Sequence, residues 1–535
     1  MTTTTPYRSP APTGRDGFGQ LLHAEWTKFR TVRGWLVGMI VAVLVTAGIG
    51  LFVAEGGATA TCQQQGGPVM SGNACYNGYT LGPGGEPVND QFYFVRQPLA
   101  GDGSITVRMT SLTGLLPTGN IGGGLSTRPG LVPWSKAGII IKDGTTQGSA
   151  YAAIMVTGSN GVRLQWDYTG DTPGLSGAVS AASPRWLRLT RDGDTITGYD
   201  SADGTRWTKV GTVRLSGLPS TVQAGMFATS PTYISATQGF HSRSISGGPS
   251  QVTADLDHVR LTGAWPANTW SAGYIGGGSA AVAKGLGGYH QAVGRFTVSG
   301  SGDISPVIGG PLGGSSGPPE LTTTDYLTGA FLGLIAVAAV ATMFMTSEYR
   351  RGLIRTTLTA TPVRGRVLAA KAIVIGSVAF LAGLVAATCA AIIDTDIANH
   401  RGDFVFPVPW PTELRVIAGT AALVAVAAVL TLAVATVVKR STVAITVVIT
   451  TVVVPYFLSV TGAVPTGVAN WLLRITPAAA FALQQSTPAY RQVQAPYSPG
   501  TGFFPLAPWA GFAVLCAWTA IALAAAAYLL KRRDA

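Results

Sequence analysis

The sequence predicts a multi-pass α-helical membrane protein: six transmembrane helices with both termini inside, and a large all-β jelly-roll sandwich inserted between the first and second. Three observations predict it. Six uncharged apolar runs stand in the chain, each of about 20 residues, the length that crosses a bilayer. Lys and Arg crowd the short segments on one side of those runs, which sets the orientation. Residues 57–324, between the first run and the second, read instead as short β-runs broken by Gly, Asp, Asn and Pro.

The composition blends these two kinds of chain. There are 535 residues, 11% of them charged, with 70 Gly and 32 Pro, and 36 Lys and Arg outnumber 24 Asp and Glu for a net charge of +12. Mean hydropathy is +0.33. One soluble core rarely grows past about 250–300 residues, so more than one domain is expected. A hydrophobic content of 47% excludes disorder. Glycine without a three-residue period excludes collagen.

The runs are Trp35–Ala54, Tyr326–Thr346, Ala372–Ile393, Val416–Val438, Ser441–Val460 and Pro508–Leu530. The first exceeds the apolar core of a cleaved signal peptide. With the N-terminus inside, the inner segments are 1–34, 347–371, 439–440 and 531–535. They hold sixteen Lys and Arg against four acids, Asp16, Glu25, Glu348 and Asp534; the rest of the chain balances at twenty of each sign. The net charge is therefore a topology label. It is not a nucleic-acid surface, because these residues abut the spans and no separate basic domain exists. The expected site is the plasma membrane, with residues 57–324 extracellular. No Asp, Glu, Lys, Arg or His falls inside the six runs, which argues against an ion-coupled carrier and for energy supplied elsewhere.

Before the first span, Leu22, Trp26 and Phe29 share one helical face, and Lys28, Arg30 and Arg33 take the other. That suits an amphipathic helix lying in the inner interface. Residues 57–87 form an outer linker in which Cys62 and Cys75 are close enough in sequence to pair in an oxidising compartment. Cys389 and Cys516 fall in spans and read as packing residues.

Strands are expected at Ser104–Met109, Ala137–Ile141, Ala150–Val156, Val162–Trp166, Arg185–Thr190, Thr195–Tyr199 and Val222–Phe227. Such spacing, with turn signals between, indicates a sandwich or barrel. Asp192-Gly193 and Asp203-Gly204 suit tight hairpins. Residues 263–324 read as a Gly/Ser/Pro-rich tail, with Arg295–Ser299 its one strand-like piece. The outer loop 461–507 reads as a short interfacial helix broken near Pro477. Gly329 and Gly333 in the second span permit close helix contact.

Within residues 88–262, VNDQFYFVRQPLAGDGSITVRM, WSKAGIIIKDG, WLRLTRDGDTITGYDSADGTRWTKVG and DLDHVRLTG resemble the concanavalin-A-like modules of bacterial extracellular proteins. That resemblance implies a lectin-like or purely structural domain. Trp134, Trp166 and Trp207, with Trp186, could stack on sugar, though most of them read as packing. The paired carboxylates that glycosidases need are missing, so no catalysis is expected.

HAEWTKFRTVRGW leading into the first span, and TSEYRRGLIRTTLTATPVRGRVLAAK following the second, resemble ABC-2-type exporter permease subunits of the actinobacterial sort. The resemblance implies a partner ABC ATPase that holds the ATP, a second permease copy or paralogue, and outward transport. It also implies that the segment after the second span docks on the ATPase, with Glu348, Tyr349, Arg350, Arg351 and Arg355 as candidate coupling residues. The same arginines suit anionic membrane lipid. No G-x-x-x-x-G-K-[ST] occurs, so ATP hydrolysis is expected on another chain. No cofactor or metal is expected in this chain. The competing reading is a membrane-anchored carbohydrate-binding or sensor protein without transport.

Overall fold

The structure is a computed structural model. It describes residues 17–56, 61–63, 69–71, 80–118, 126–238, 243–276, 285–308, 320–321, 323–350, 363–401, 404–494 and 497–532.

Six helices among the described residues are long and apolar enough to cross a membrane. An amphipathic helix, α1 (Phe18–Thr31), precedes the first of them, α2 (Arg33–Gly56). The next four are α3 (Ala330–Arg350), α4 (Arg364–Cys389), α5 (Trp410–Val438) and α6, which starts at Ser441–Val448 and continues through one wide turn into Val454–Val460. A short helix α7 (Thr466–Ile475) leads to the last long one, α8 (Pro508–Arg532).

These helices share one core. It draws Val337 and Phe344 from α3, Ile375 from α4, Leu423 and Leu432 from α5, and Leu515 from α8. Glycine sets the closest approach. A Cβ on Gly329 would lie 2.3 Å from the Thr46 carbonyl oxygen, and one on Gly333 would lie 2.0 Å from Thr46 Oγ1. Gly333 of α3 and Gly329 in the 3₁₀ turn just before it are thus the surface that rests against Ala42 and Thr46 of α2.

Pro477 acts where its ring requires. Thr476 is extended, as a residue before proline prefers, and ends α7. Residues Pro477–Gln484 then form a 3₁₀ segment buried along its whole length. It packs on α5 and α8, so this part of the loop between α6 and α8 lies within the bundle.

In the β half, the strands that build the sandwich are β1 (Pro87–Asp90), β2 (Phe92–Thr118), β3 (Lys136–Lys142), β4 (Tyr151–Thr157), β5 (Val162–Trp166) and β6 (Gly170–Pro173). There follow β7 (Arg185–Asp192), β8 (Thr195–Ser201), β9 (Thr208–Arg214), β10 (Thr221–Thr229) and β11 (Gln251–Ala264). The set closes with β12 (Ser271–Ile275), β13 (Gly288–Ala292), β14 (Arg295–Gly300) and β15 (Ile304–Pro306).

The long strand β2 serves two layers. Its first half lies between β10 and β12, in the order β6-β5-β4-β3-β10-β2-β12. Gly101, at φ 68°, turns the strand. Its second half lies between β7 and β11, in the order β9-β8-β7-β2-β11-β14-β13. Ile139, Ile154 and Leu164 from one layer meet Leu187, Leu189 and Leu256 from the other in a single core. The first layer is buried on both faces, since Val88 of β1 and Ile304 of β15 cover Phe92, Phe94 and Phe227. The second layer alternates, with Leu187 and Leu189 inward and Trp186 and Arg188 half-exposed outward.

Two expectations need correction. The tail at 263–324 is not only a tether. Within it β12 pairs with β2, β14 with β11 and β15 with β1, because Phe296, Val298 and Ile304 each find a buried place. No disulfide is found among the described residues, and Cys75 lies outside them, so the link from Cys62 has no support.

Candidate functional site: a buried charge junction

The amphipathic face of α1 carries an acid. Leu22, Glu25 and Phe29 recur at helical spacing, and Glu25 and Phe29 are fully buried. A carboxylate buried there needs a cation, and the cation is Lys371, 1% exposed on the second turn of α4. Lys371 Nζ donates to Glu25 Oε2 at 2.7 Å and to Glu348 Oε1 at 2.7 Å. Lys28 Nζ closes the ring, donating to Glu25 Oε1 at 2.8 Å and Glu348 Oε1 at 3.1 Å. Two acids and two ammonium groups balance. Burial works against the Lys28 charge, but the hydrogen bond to Glu25 and the field of Glu348 outweigh it and raise its pKa above the ordinary 10.5.

An aromatic wall closes the junction on one side. Phe344 lies edge-on to Phe29 at 5.7 Å and to Trp35 at 5.1 Å, and Lys371 Nζ sits 4.6 Å from the Phe344 ring centre. Close by, Lys439 Nζ is 5.3 Å from the Tyr349 ring centre, and Arg364 Nη1 donates to the Leu530 carbonyl. Lys28, Lys371 and Lys439, which the sequence places in three separate segments, therefore meet at the end of α3 that carries Glu348 and Tyr349, and Arg364 reaches the end of α8.

The junction brackets a stretch of chain. Glu348 is on the last turn of α3 and Lys371 near the start of α4, so their bond ties together both ends of the segment 351–362. Arg351 and Arg355 lie outside the described residues, and Arg350 ends α3. Arg30, Arg33 and Trp26 are exposed; Trp26 stands off the buried face that the spacing shared among Leu22, Trp26 and Phe29.

Sequence reasoning missed Glu25 and Lys371. Glu25 was legible as an acid three residues after Leu22 and four before Phe29, in the middle of an apolar face. Lys371 was hidden by the expected start of the third span at Ala372, since α4 begins eight residues earlier, at Arg364.

The sugar-stacking set does not form one surface. Trp134 is 8% exposed, Trp166 packs on the sandwich core, and only Trp207 shares an outer sheet face with Trp186. A side-chain contact joins the sandwich to the bundle. Gln492, buried in the stretch between α7 and α8, donates to the carbonyls of Tyr168 and Thr169 at 3.4 and 2.9 Å. Behind that turn, Lys142 is buried against Asp90 Oδ2 at 2.9 Å and the Tyr168 hydroxyl at 3.2 Å. Burial lowers its pKa although Asp90 pulls the other way.

The profile described as ABC-2 family transporter protein matches residues 201–535, well over half of the chain. The chain belongs to the ABC-2 transporter family. Permeases of this family are membrane transport components that normally work with an ABC ATPase. In this ABC-2 protein, the charge junction and all the long helices after α2 fall wholly or partly in the matched stretch, and α1 and α2 precede it. None of the curated proteins matches.

Several solved structures share features with the β half. A functionally unknown protein from Saccharomyces cerevisiae is 16% identical, over 32% of this chain and 75% of that one, with a TM-score of 0.20. The GH43 BlXynB protein from Bacillus licheniformis is 16% identical, over 30% of this chain and only 28% of that one, at 0.18. Scytalido-glutamic peptidase is 6% identical, over 41% of this chain and 100% of that one, at 0.23. Scores this low add nothing to the strand topology.

Proposed function

We propose that this chain is the membrane-spanning permease subunit of an ATP-driven exporter, energised by a separate ATPase subunit and paired with a second permease copy or paralogue. Its termini are cytoplasmic in this reading, and residues 57–324 form an extracellular lectin-like domain at the plasma membrane. The observation that carries it is the Glu348–Lys371 bond. A segment that receives force from an ATPase must pass it to the helices without yielding, and here both ends of 351–362 are tied to each other and, through Glu25, to α1. Arg350, Arg351 and Arg355 then dock on the ATPase, while Arg30 and Arg33 face anionic lipid. Burying the ion pairs makes the joint rigid, because separating them would strand charge in a dry site.

The test is co-purification. Full-length protein tagged at its C-terminus and extracted from its native membrane is expected to bring down a chain with nucleotide-binding motifs. An Arg350→Glu/Arg351→Glu variant of equal abundance is expected to lose it. If wild type, cross-linked before extraction, brings down no nucleotide-binding chain, the permease reading fails and the anchored-binding reading takes its place.

A further inference from the structure

The outer face of the second sandwich layer is ordered in rows across β9, β8, β7, β2 and β11. One row reads Lys209, Tyr199, Arg188, Thr106, Arg260. The next row to one side is hydroxyls throughout, with Thr212, Thr197, Thr190, Ser104 and Thr262. On the other side lie Trp186, Arg108 and Asp257. Strands near 4.8 Å apart put Lys209, Arg188 and Arg260 about 10 Å from one another in turn.

The charges of this face do not cancel. Asp257 is used up by Arg108, whose Nε and Nη2 donate to its two oxygens at 2.7 and 2.6 Å. Among the described residues, no carboxylate lies within ion-pair distance of Lys209, Arg188 or Arg260. Asp203, close in sequence to Trp207, is turned back on the Thr205 and Arg206 amides. Arg188 is held in place rather than loose: its guanidinium carbon is 3.9 Å from the Trp207 ring centre and its Nε donates to Thr106 Oγ1 at 3.0 Å.

A second oddity sits at the rim. The ladder between β11 and β2 slips between Asp257 and Arg260, and His258 there has φ +50°, a conformation uncommon outside glycine. The bulge turns the His258 ring toward Trp186 at 5.4 Å, with Nδ1 2.9 Å from Asp257 Oδ1. Bulges of this kind re-aim side chains and recur next to sites.

We propose that this face binds an acidic polysaccharide, a chain of hydroxyl-rich rings bearing carboxylates, laid along the Lys209–Arg188–Arg260 row. Spaced cations match a polymer whose acidic group recurs along its length. The neighbouring row of hydroxyls meets sugar hydroxyls, and Tyr199 and Trp186 offer ring edges and apolar surface. A nucleic acid fits less well, because base stacking needs open aromatic faces and one face of Trp207 is taken by Arg188. The proposal stands apart from transport, since binding here needs no ATPase.

The experiment uses full-length protein in lipid nanodiscs, with polygalacturonate as the probe and dextran and a single-stranded oligonucleotide as comparisons. Wild type is expected to bind polygalacturonate, more weakly as salt rises, and to bind neither comparison comparably. Lys209→Glu/Arg260→Glu, two exposed positions that leave the core untouched, should weaken binding at least tenfold. Arg188→Ala should do the same, while an Arg30→Ala/Arg33→Ala control at the far helix should not. Near-ultraviolet circular dichroism matching wild type shows each variant is folded. Undiminished binding by the Lys209/Arg260 variant, equal binding to dextran, or equal binding to the oligonucleotide would overturn the assignment.

Discussion

Glu25 and Lys371, 346 residues apart in sequence, form a fully buried ion pair with Oε2 and Nζ 2.7 Å apart. Removing either end alone leaves the buried four-group junction one charge out of balance. Lys371→Met leaves Glu25 and Glu348 to share Lys28 alone, two carboxylates on one ammonium, and removing one member of such a buried network costs about 3–5 kcal/mol. The variant is expected to unfold at a clearly lower temperature in detergent. Glu25→Gln/Lys371→Met should recover part of that loss; a double variant no better than Lys371→Met would show that the pair is not coupled.

The α2–α3 contact makes a graded prediction. At Gly329 an added Cβ meets the Thr46 carbonyl, which is backbone and cannot turn aside; at Gly333 it meets the Thr46 hydroxyl first. Overpacking of this sort costs about 1–3 kcal/mol. Gly329→Ala is expected to destabilise more than Gly333→Ala, and Thr46→Ala should rescue only the second. Thermal unfolding of the four variants reads the order directly.

What the sequence made legible follows from period and composition. The six apolar runs and the seven named strands all reappear as helices and strands: the helices by apolar length, β7 and β8 by alternation, and β3 and β4 as short apolar runs bounded by turn residues. Lys371 escaped because a charge search stops at the first lysine, whereas a helix continues until something breaks it, and between Arg364 and Lys371 nothing does. Of the strands in the tail only β14 was legible, as Arg295–Ser299; β12, β13 and β15 escaped for the opposite reason. They are short, glycine-flanked and stabilised by partners such as β1 and β2 far away in sequence, which no local pattern records. Arg188 was legible only as one letter of W-x-R-L-x-R; its place in a cationic row needs the register of five strands.

Asp257 supplies a pH prediction. Its hydrogen bonds from Arg108 hold its pKa below the ordinary 3.8, against the opposing effect of burial and with help from His258. A carboxylate depressed in the folded state contributes stability that is complete above its unfolded pKa and lost as pH falls through the folded value. The Trp186 environment is therefore expected to hold down to about pH 4 and to loosen only below it. Arg108→Gln should move that acid transition to higher pH, followed by near-ultraviolet circular dichroism. An unmoved transition would mean that Arg108 does not set it.

Gln492 is the reporter for how the sandwich sits on the bundle. Its amide reaches two carbonyls on a turn where Asp167 and Tyr168 both have positive φ, 42° and 61°. A turn of two non-glycine residues in that region persists only when its surroundings hold it, and Gln492 is one of the groups that does. Gln492→Ala leaves two carbonyls short of a donor, and a lost buried hydrogen bond costs about 1–3 kcal/mol. The expected outcome is faster amide exchange in 166–170 by mass spectrometry, with β7 to β9 unchanged because they lie in the other layer. Gln492→Asn, whose shorter side chain keeps the amide but loses reach, should fall between wild type and alanine. Exchange at 166–170 equal to wild type in the alanine variant would mean that the sandwich holds this turn by its own contacts, with Lys142 and Tyr168 sufficient behind it.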